Sequence, residues 1–352
     1  MLLEENKPLA PFTTFGIGGP ARWFVEAASE EEIAEAVAWA GEHRVPLFVL
    51  GGGSNLLVSD AGFDGLVLRV GLHGIAATEA PDNFGQRIYQ VAAGEEWDRF
   101  VERTVQEDCA GIECLAGIPG TVGGTPVQNV GAYGQEVASV LSRVRAYDVR
   151  ERNFVEFAAD ECGFAYRHSR FNSNDRGRYV ITRVDYRLMP GGAPALRYAE
   201  LQRAFPDGVQ PSLAEVAAQV RRIRQAKGML IIEDDPDNRS AGSFFRNPVV
   251  TDEQFRQIEA ASETAPPRFP ADPEAENQGL VKVPAAWLIE HAGFAKGYAR
   301  GAAAVSSRHT LALVNCGGAS AAEVLALASQ ITAAVEGRFG IRLEMEPMLV
   351  GF

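Results

Sequence analysis

Residues 116–134 read AGIPGTVGGTPVQNVGAYG. This run holds six glycines and two prolines and carries no charge. Glycine costs backbone entropy in a regular element and proline removes a donor, so neither a helix nor a central strand fits. The run is also too apolar for a solvated linker. It is expected to be a buried loop pressed against something flat and large. Two readings follow. Glycine lets a backbone approach a ligand closely, and unpaired amides in such turns make anion-binding nests. The plainer reading is a tight crossover between strands.

A second glycine run lies upstream. Residues 46–50 form an apolar stretch that reads as a buried strand and leads into Gly51-Gly52-Gly53-Ser54-Asn55. Strand-like segments follow at 56–58 and 65–70. A dinucleotide fingerprint of the GxGxxG kind must open a helix directly after its strand. Here the loop leads into more strand, and no GxxxxGK[ST] motif occurs. The run still supplies several amides suited to a pyrophosphate, although a β-turn would use the same residues.

Working outward, Phe24 and Val25 read as a strand. Ser29 with Glu32 makes a capping box before Ile33, Ala36, Val37 and Ala40 at helical spacing. Residues 87–92 alternate as a strand, and Trp97, Phe100, Val101 and Val105 line a helix. Residues 144–149 and 154–157 predict a hairpin. Strict alternation from Val180 to Leu188 predicts a half-buried strand. Ser212 with Glu215 caps a helix whose last turns hold Arg221, Arg222, Arg224 and Lys227. These cations suit the helix dipole. Thr251 with Gln254 caps a short helix, and Pro284 and Gly293 bracket another. Ser320 with Glu323 opens the last long helix, and residues 341–346 read as a final strand. AGSFFRN, residues 241–247, is an apolar island with one serine.

The chain has 352 residues, enough for two or three domains. Its formal net charge of -13 disfavours nucleic acid as a partner. No segment reaches about 18 uninterrupted apolar residues, so no membrane span is expected. MLLEENKPLAPF at the N-terminus lacks the features of a secretory signal. Cys109, Cys114, Cys162 and Cys316 form no CxxC pair, so no metal site is expected. Each thiol reads as a small buried hydrophobe in a reducing cytoplasm.

Four blocks, taken together and in this order, resemble the UDP-N-acetylenolpyruvoylglucosamine reductase (UDP-N-acetylmuramate dehydrogenase) family. They are GGGSNLLV, GIPGTVGGTPVQNVGAYG, YRHSRF with AGSFFRNP, and the C-terminal LEMEP. The AGSFF form and Tyr198 resemble its type I branch. The two glycine loops are similar to the FAD-binding domain of the vanillyl-alcohol-oxidase/p-cresol-methylhydroxylase (PCMH) type. The resemblance implies an α+β chain with a two-part PCMH-type FAD-binding domain plus a C-terminal substrate-binding α+β domain. Residues 1–70 and 71–205 would be the FAD-binding subdomains, 206–340 the substrate-binding domain, and 341–352 a strand returning to the active site.

The implied activity is NADPH-dependent reduction of UDP-N-acetylglucosamine enolpyruvate to UDP-N-acetylmuramate through non-covalent FAD. That would place a monomeric enzyme in cytoplasmic peptidoglycan precursor synthesis. The nearest candidates for a covalent flavin link are His73 and Cys114. Hydride addition to an enol ether conjugated with a carboxylate creates an enolate-like dianion, which needs preorganised donors. An arginine fork matches the carboxylate, and the adjacent carbon needs a placed acid. By the family pattern Arg167 is the carboxylate clamp, Ser243 the proton donor and Glu346 the partner of the enolate. From the residues alone, Arg167 would be a surface arginine, Ser243 a turn or cap serine, and Glu346 a solvated carboxylate beside Glu344.

Implied FAD contacts are Gly51, Gly52, Gly53, Ser54, Asn55 and Leu56 in the first loop. In the second they are Gly117, Ile118, Pro119, Gly120, Thr121, Gly123, Gln128, Asn129, Gly131 and Tyr133. Implied substrate contacts are Tyr198, Lys227, Asn247 and His309. Some relatives carry an arginine two residues after the glutamate, where this chain has Met348. Residues 228–240 also look longer than in some relatives. Two rival readings remain: another oxidase or dehydrogenase of the same flavin fold, and a non-catalytic sugar-nucleotide or flavin binding protein.

Overall fold

The computed structural model describes residues 1–80, 85–206, 208–270 and 279–352. The chain divides into two compact units, and the division does not follow the linear order of the expected boundaries. Residues 1–7, 21–52 and 64–225 form the first, and residues 8–20, 53–63 and 226–352 form the second. Each has its own apolar core. The mixture of helices with parallel and antiparallel sheets is α+β, as expected.

In the first unit a four-stranded sheet runs in the order Glu4–Pro8, Pro20–Ala27, Phe63–Val70, Leu47–Leu50. The last two strands pair in parallel, with Leu47 opposite Leu66. The helix Glu30–His43 begins where Ser29 accepts a hydrogen bond from the Glu32 amide, and it buries Ile33, Ala36, Val37 and Ala40. An antiparallel sheet contributes the second layer. Its order is Asn153–Ala158, Leu141–Asp148, Tyr179–Pro190, Arg87–Ala92, Ile75–Glu79. The expected hairpin is present, with Val144 opposite Phe157 and Tyr147 opposite Phe154.

Tyr179–Pro190 shows the expected alternation. Val180, Thr182, Val184, Tyr186 and Leu188 on one face are all buried, whereas the other face carries the partly exposed Arg183 and Arg187. That second face also buries Ile181 and Asp185, the latter paired with Arg183.

In the second unit Ser240–Ser243, Ala312–Asn315, Ala303–Val305 and Ala299–Arg300 form one sheet, and Ala321–Phe339 packs its apolar face into the same core. Ser320 and Glu323 make the expected capping box, and Gly340 closes the helix at φ +68°. The apolar island of AGSFFRN is explained by Phe244 and Phe245, which are wholly buried. Each such side chain contributes about 1.5–3 kcal/mol.

The expected final strand at 341–346 is not one. Met345 makes a single bridge to Phe245, and the strand proper is Met348–Val350. It runs parallel to Leu56–Val58, so two segments almost 300 residues apart set each other's register. Cys109, Cys114 and Cys162 are buried, whereas Cys316 is exposed in the turn after its strand and corrects the expectation for that thiol. Among the described residues no helix is long and apolar enough to cross a membrane.

Candidate active site

The glycine loop 116–134 is buried or half-buried throughout except at Gly134, and has no regular element longer than a single 3-10 turn, Val122–Gly124. Its first half is stitched to the segment that starts the helix Trp97–Gln106. Trp97 N donates to Gly120 O at 3.0 Å, Val122 N to Glu95 O at 2.9 Å and Gly123 N to Ala93 O at 2.8 Å. Thr125 Oγ1 lies 2.7 Å from the hydroxyl of buried Tyr186, which ties the loop to the central strand. Glycine is required where the two loops meet. A Cβ on Gly52 would lie 2.5 Å from the Gly120 Cα. Among the described residues the backbone amides of Gly52, Ile118 and Gly120 donate to no protein acceptor. This uncharged donor set on closely approaching backbones fits the pyrophosphate of FAD.

Two arginines of the helix Leu213–Ala226 hold the loop from below. Arg221 forms a two-pronged pair with Asp98, at 2.6 and 2.8 Å, and Asp98 Oδ1 accepts the Gly117 amide. Arg224 is buried and donates Nε to Gly117 O at 3.0 Å, and desolvation lowers its pKa. Sequence reasoning missed Arg224 by grouping it with the helix-end cations. The signal was its spacing: 216, 220 and 224 step along one helix face, and the first two are core valines.

Among the non-glycine residues of this unit with left-handed backbone conformations are Asn129 at φ +47°, Tyr133 at φ +50° and Arg167 at φ +53°. Each costs about 1–2 kcal/mol outside glycine, so the surrounding structure must over-determine them. Arg167 is the second residue of a two-residue turn closed by paired hydrogen bonds between Ala165 and His168, both 3.1 Å. That position usually takes glycine. Its Nη2 donates to Gly131 O at 2.7 Å. Gln128 lies in the turn of the same loop. Tyr133 meets Tyr198 edge to face with centroids 5.4 Å apart, so an expected cofactor residue and an expected substrate residue stand together.

Cys114 is buried, and desolvation pushes its thiol up to about 12, which makes it a poor nucleophile. His73 is exposed, 3.6 Å from Glu95.

In the second unit Gly53 sits at φ +64°, and a Cβ there would fall 1.8 Å from Phe12 O. Thr14 Oγ1 donates to Ser240 O at 2.6 Å. Asn55 Nδ2 donates to Glu346 O at 3.3 Å, and Met348 N donates to Asn55 O at 2.9 Å. Ser54 and Leu56 flank Asn55, and Leu56 pairs with Met348. Glu346 N donates to Phe244 O at 2.9 Å, one residue past Ser243. Ser243 follows Gly242 at φ +69° and ends an irregular strand in which Ser240 and Ser243 face Val314 and Ala312. Such a bulge re-aims a side chain. Ser243 and Glu346 are thus brought onto neighbouring segments, joined by the Glu346 N to Phe244 O bond and the Phe245–Met345 bridge. Next to them, Arg246 Nε is buried with no partner among the described residues.

Asn247 Oδ1 accepts from Ala285 N at 2.9 Å at the start of the helix Ala285–His291, so its acceptor has a capping job. Lys227 and His309 lie on two loops joined by one cluster. Asp237 accepts from Ser307 Oγ and Arg308 Nε at 2.7 and 2.9 Å, and Asp235 also pairs with Arg308. The Arg308 guanidinium holds the Asp235 carboxyl below its ordinary range. Among the described residues no group of three or more His, Cys, Asp or Glu could hold a metal ion.

Comparison with known proteins gives the class first. Residues 21–151 match the family model described as an FAD binding domain. Residues 234–350 match the model of the UDP-N-acetylenolpyruvoylglucosamine reductase C-terminal domain. The chain is 44% identical to the UDP-N-acetylenolpyruvoylglucosamine reductase of Streptomyces coelicolor, with 99% of this chain and 90% of that protein covered. It is also 44% identical to the Thermobifida fusca reductase, covering 99% and 98%. The crystal structure of the reductase from Thermus caldophilus superposes with a TM-score of 0.66 at 26% identity, over 99% of this chain and 100% of that one. The chain belongs to the UDP-N-acetylenolpyruvoylglucosamine reductase family.

Proposed function

We propose that the chain catalyses NADPH-dependent reduction of UDP-N-acetylglucosamine enolpyruvate to UDP-N-acetylmuramate, as a cytoplasmic monomer making peptidoglycan precursor. FAD, when bound, would supply the hydride-transfer chemistry between NADPH and the vinyl carbon of the substrate. The amides of both glycine loops hold its pyrophosphate, and Arg224 places a buried positive charge against the Gly117 carbonyl. Arg167 grips the substrate carboxylate with its planar fork and stabilises the charge that develops there. Ser243 gives its hydroxyl proton to the carbon next to the carboxylate. A serine is a weak acid in water, but an enolate is a strong base and a dry site favours the transfer. Glu346 is the partner that stabilises the enolate. Tyr198 covers the nucleotide, Lys227 meets the diphosphate, and Asn247 and His309 supply polar contacts.

One observation supports this reading above the others. The Glu346 amide pairs with the carbonyl of Phe244, the residue after Ser243, in a chain 44% identical to named reductases. The test separates the two half-reactions by stopped-flow flavin absorbance. Ser243→Ala is expected to leave flavin reduction by NADPH intact and to slow reoxidation by the enolpyruvyl nucleotide by about 10²–10⁴-fold. Equal damage to both steps refutes the proton-donor role. NADPH consumption that ignores the enolpyruvyl nucleotide refutes the activity.

A further inference from the structure

We propose that Asn129 is a positioning residue that aims Arg167, an inference that rests on the clamp role given to Arg167 above. Asn129 is 1% exposed, and its carboxamide makes three hydrogen bonds within the protein. Nδ2 donates to Ala165 O at 3.1 Å and to Glu136 Oε2 at 2.9 Å, and Oδ1 accepts from Ala138 N at 3.1 Å.

The first two bonds reach the arginine from opposite ends. Ala165 is the residue that opens the turn on which Arg167 sits, so one bond holds the backbone of the clamp. Glu136 pairs with Gly131 across a two-residue antiparallel ladder, and Gly131 O is the acceptor of Arg167 Nη2 at 2.7 Å. The second bond therefore holds the anchor of the guanidinium. Gly131 has no room for a side chain, since a Cβ would lie 2.6 Å from Glu136 Cγ, so the carbonyl and the ladder stay in close register.

The residue type fits this task and few others do. The position is left-handed, which asparagine tolerates better than most residues. Two donors and one acceptor on a short stem are needed at once, and aspartate supplies no donor. A clamp displaced by about 1 Å loses on the order of 10²-fold in rate. A carboxamide that ties both ends of a long flexible side chain prevents that displacement.

The test uses flavin-loaded enzyme and Asn129→Asp, which keeps size and backbone preference and removes both donors. Asn129 is also an implied cofactor contact, so every rate is read per bound flavin. Reoxidation by the enolpyruvyl nucleotide is expected to slow on the order of tenfold to a hundredfold, with weaker half-saturation. Adding Asn129→Asp to Arg167→Gln should then deepen the loss little, because both act through one guanidinium. A variant with lower melting temperature or flavin content but unchanged reoxidation per bound flavin overturns the proposal. If Asn129→Asp does not fold, Glu136→Ala breaks only the outer link and must slow the same step. Unchanged reoxidation in that variant overturns the proposal too. Arg167→Gln alone separates the two ideas. If it leaves reoxidation untouched, the clamp reading falls. If it slows reoxidation while Asn129→Asp does not, only the positioning role falls.

Discussion

The glycine loop of the first unit and the neighbouring Ser243 and Glu346 segments of the second hold their side chains in different ways. In the loop, position comes from backbone conformations that few residues adopt, set by neighbours less than 40 positions away: Asn129 reaches Glu136 and Ala165, and Arg167 reaches Gly131. In the second unit the backbone of Glu346 is held by Asn55, 291 residues earlier, and by Phe244. The loop stores about 1–2 kcal/mol of strain at each left-handed non-glycine residue and recovers it through dense local hydrogen bonds. The Ser243 and Glu346 segments meet through an irregular strand end and one bridge, beside the buried rings of Phe244 and Phe245. Local strain is legible to a reader of glycines, whereas long-range register is not.

The contrast is broken most forcefully from the second unit. Phe244→Ala removes a wholly buried ring and is expected to cost about 3–5 kcal/mol. Hydrogen exchange should quicken around residues 240–246 and 343–350 and leave the loop 116–134 protected. Equal loosening of both regions would mean that they do not have separate supports.

A smaller effect is expected from Gly52→Ala in the first. The new Cβ would meet the Gly120 backbone at 2.5 Å, which a flexible side chain cannot relieve. The cost is about 1–3 kcal/mol, with flavin content falling in proportion. Full flavin occupancy at wild-type melting temperature would show that the loops do not need their close approach.

The smallest effect sharpens the comparison, because it concerns a long-range contact inside the first unit. Glu30 accepts two hydrogen bonds from Arg145 and one from Thr182, and the Arg145 hydrogen bonds lower its pKa from the ordinary 4.5. A lowered folded pKa contributes stability that is present above the unfolded value and is lost as pH falls through the folded one. Glu30→Gln should therefore be less stable than the parent at neutral pH by about 1 kcal/mol or less. The gap should close in denaturant titrations as pH drops below the ordinary carboxylate range. A gap that does not depend on pH would assign the contribution to hydrogen bonding alone.

Much of the fold was legible because its signals are local. Ser29 with Glu32, Thr251 with Gln254 and Ser320 with Glu323 cap helices where the pattern places them. Where reading failed, the missing information was tertiary. The alternation of Val180 to Leu188 marks the buried face but cannot reveal that Ile181 and Asp185 on the other face are buried too. Extended residues at 341–346 look like a strand until the partner of each segment is known. Arg224 looked like a helix-end cation because its core spacing was outweighed by its charge.

The chain by itself determined that two uncharged glycine loops exist, that helices start at their caps, and that Arg167, Ser243 and Glu346 occupy positions matching a reductase pattern. These depend on residue chemistry and spacing along the backbone. Only the tertiary structure decided that Gly52 touches Gly120, that Asn129 ties the turn of Arg167 to its anchor, and that Glu346 pairs beside Ser243. Such contacts arise when burial of two apolar cores fixes the register of segments the sequence keeps far apart.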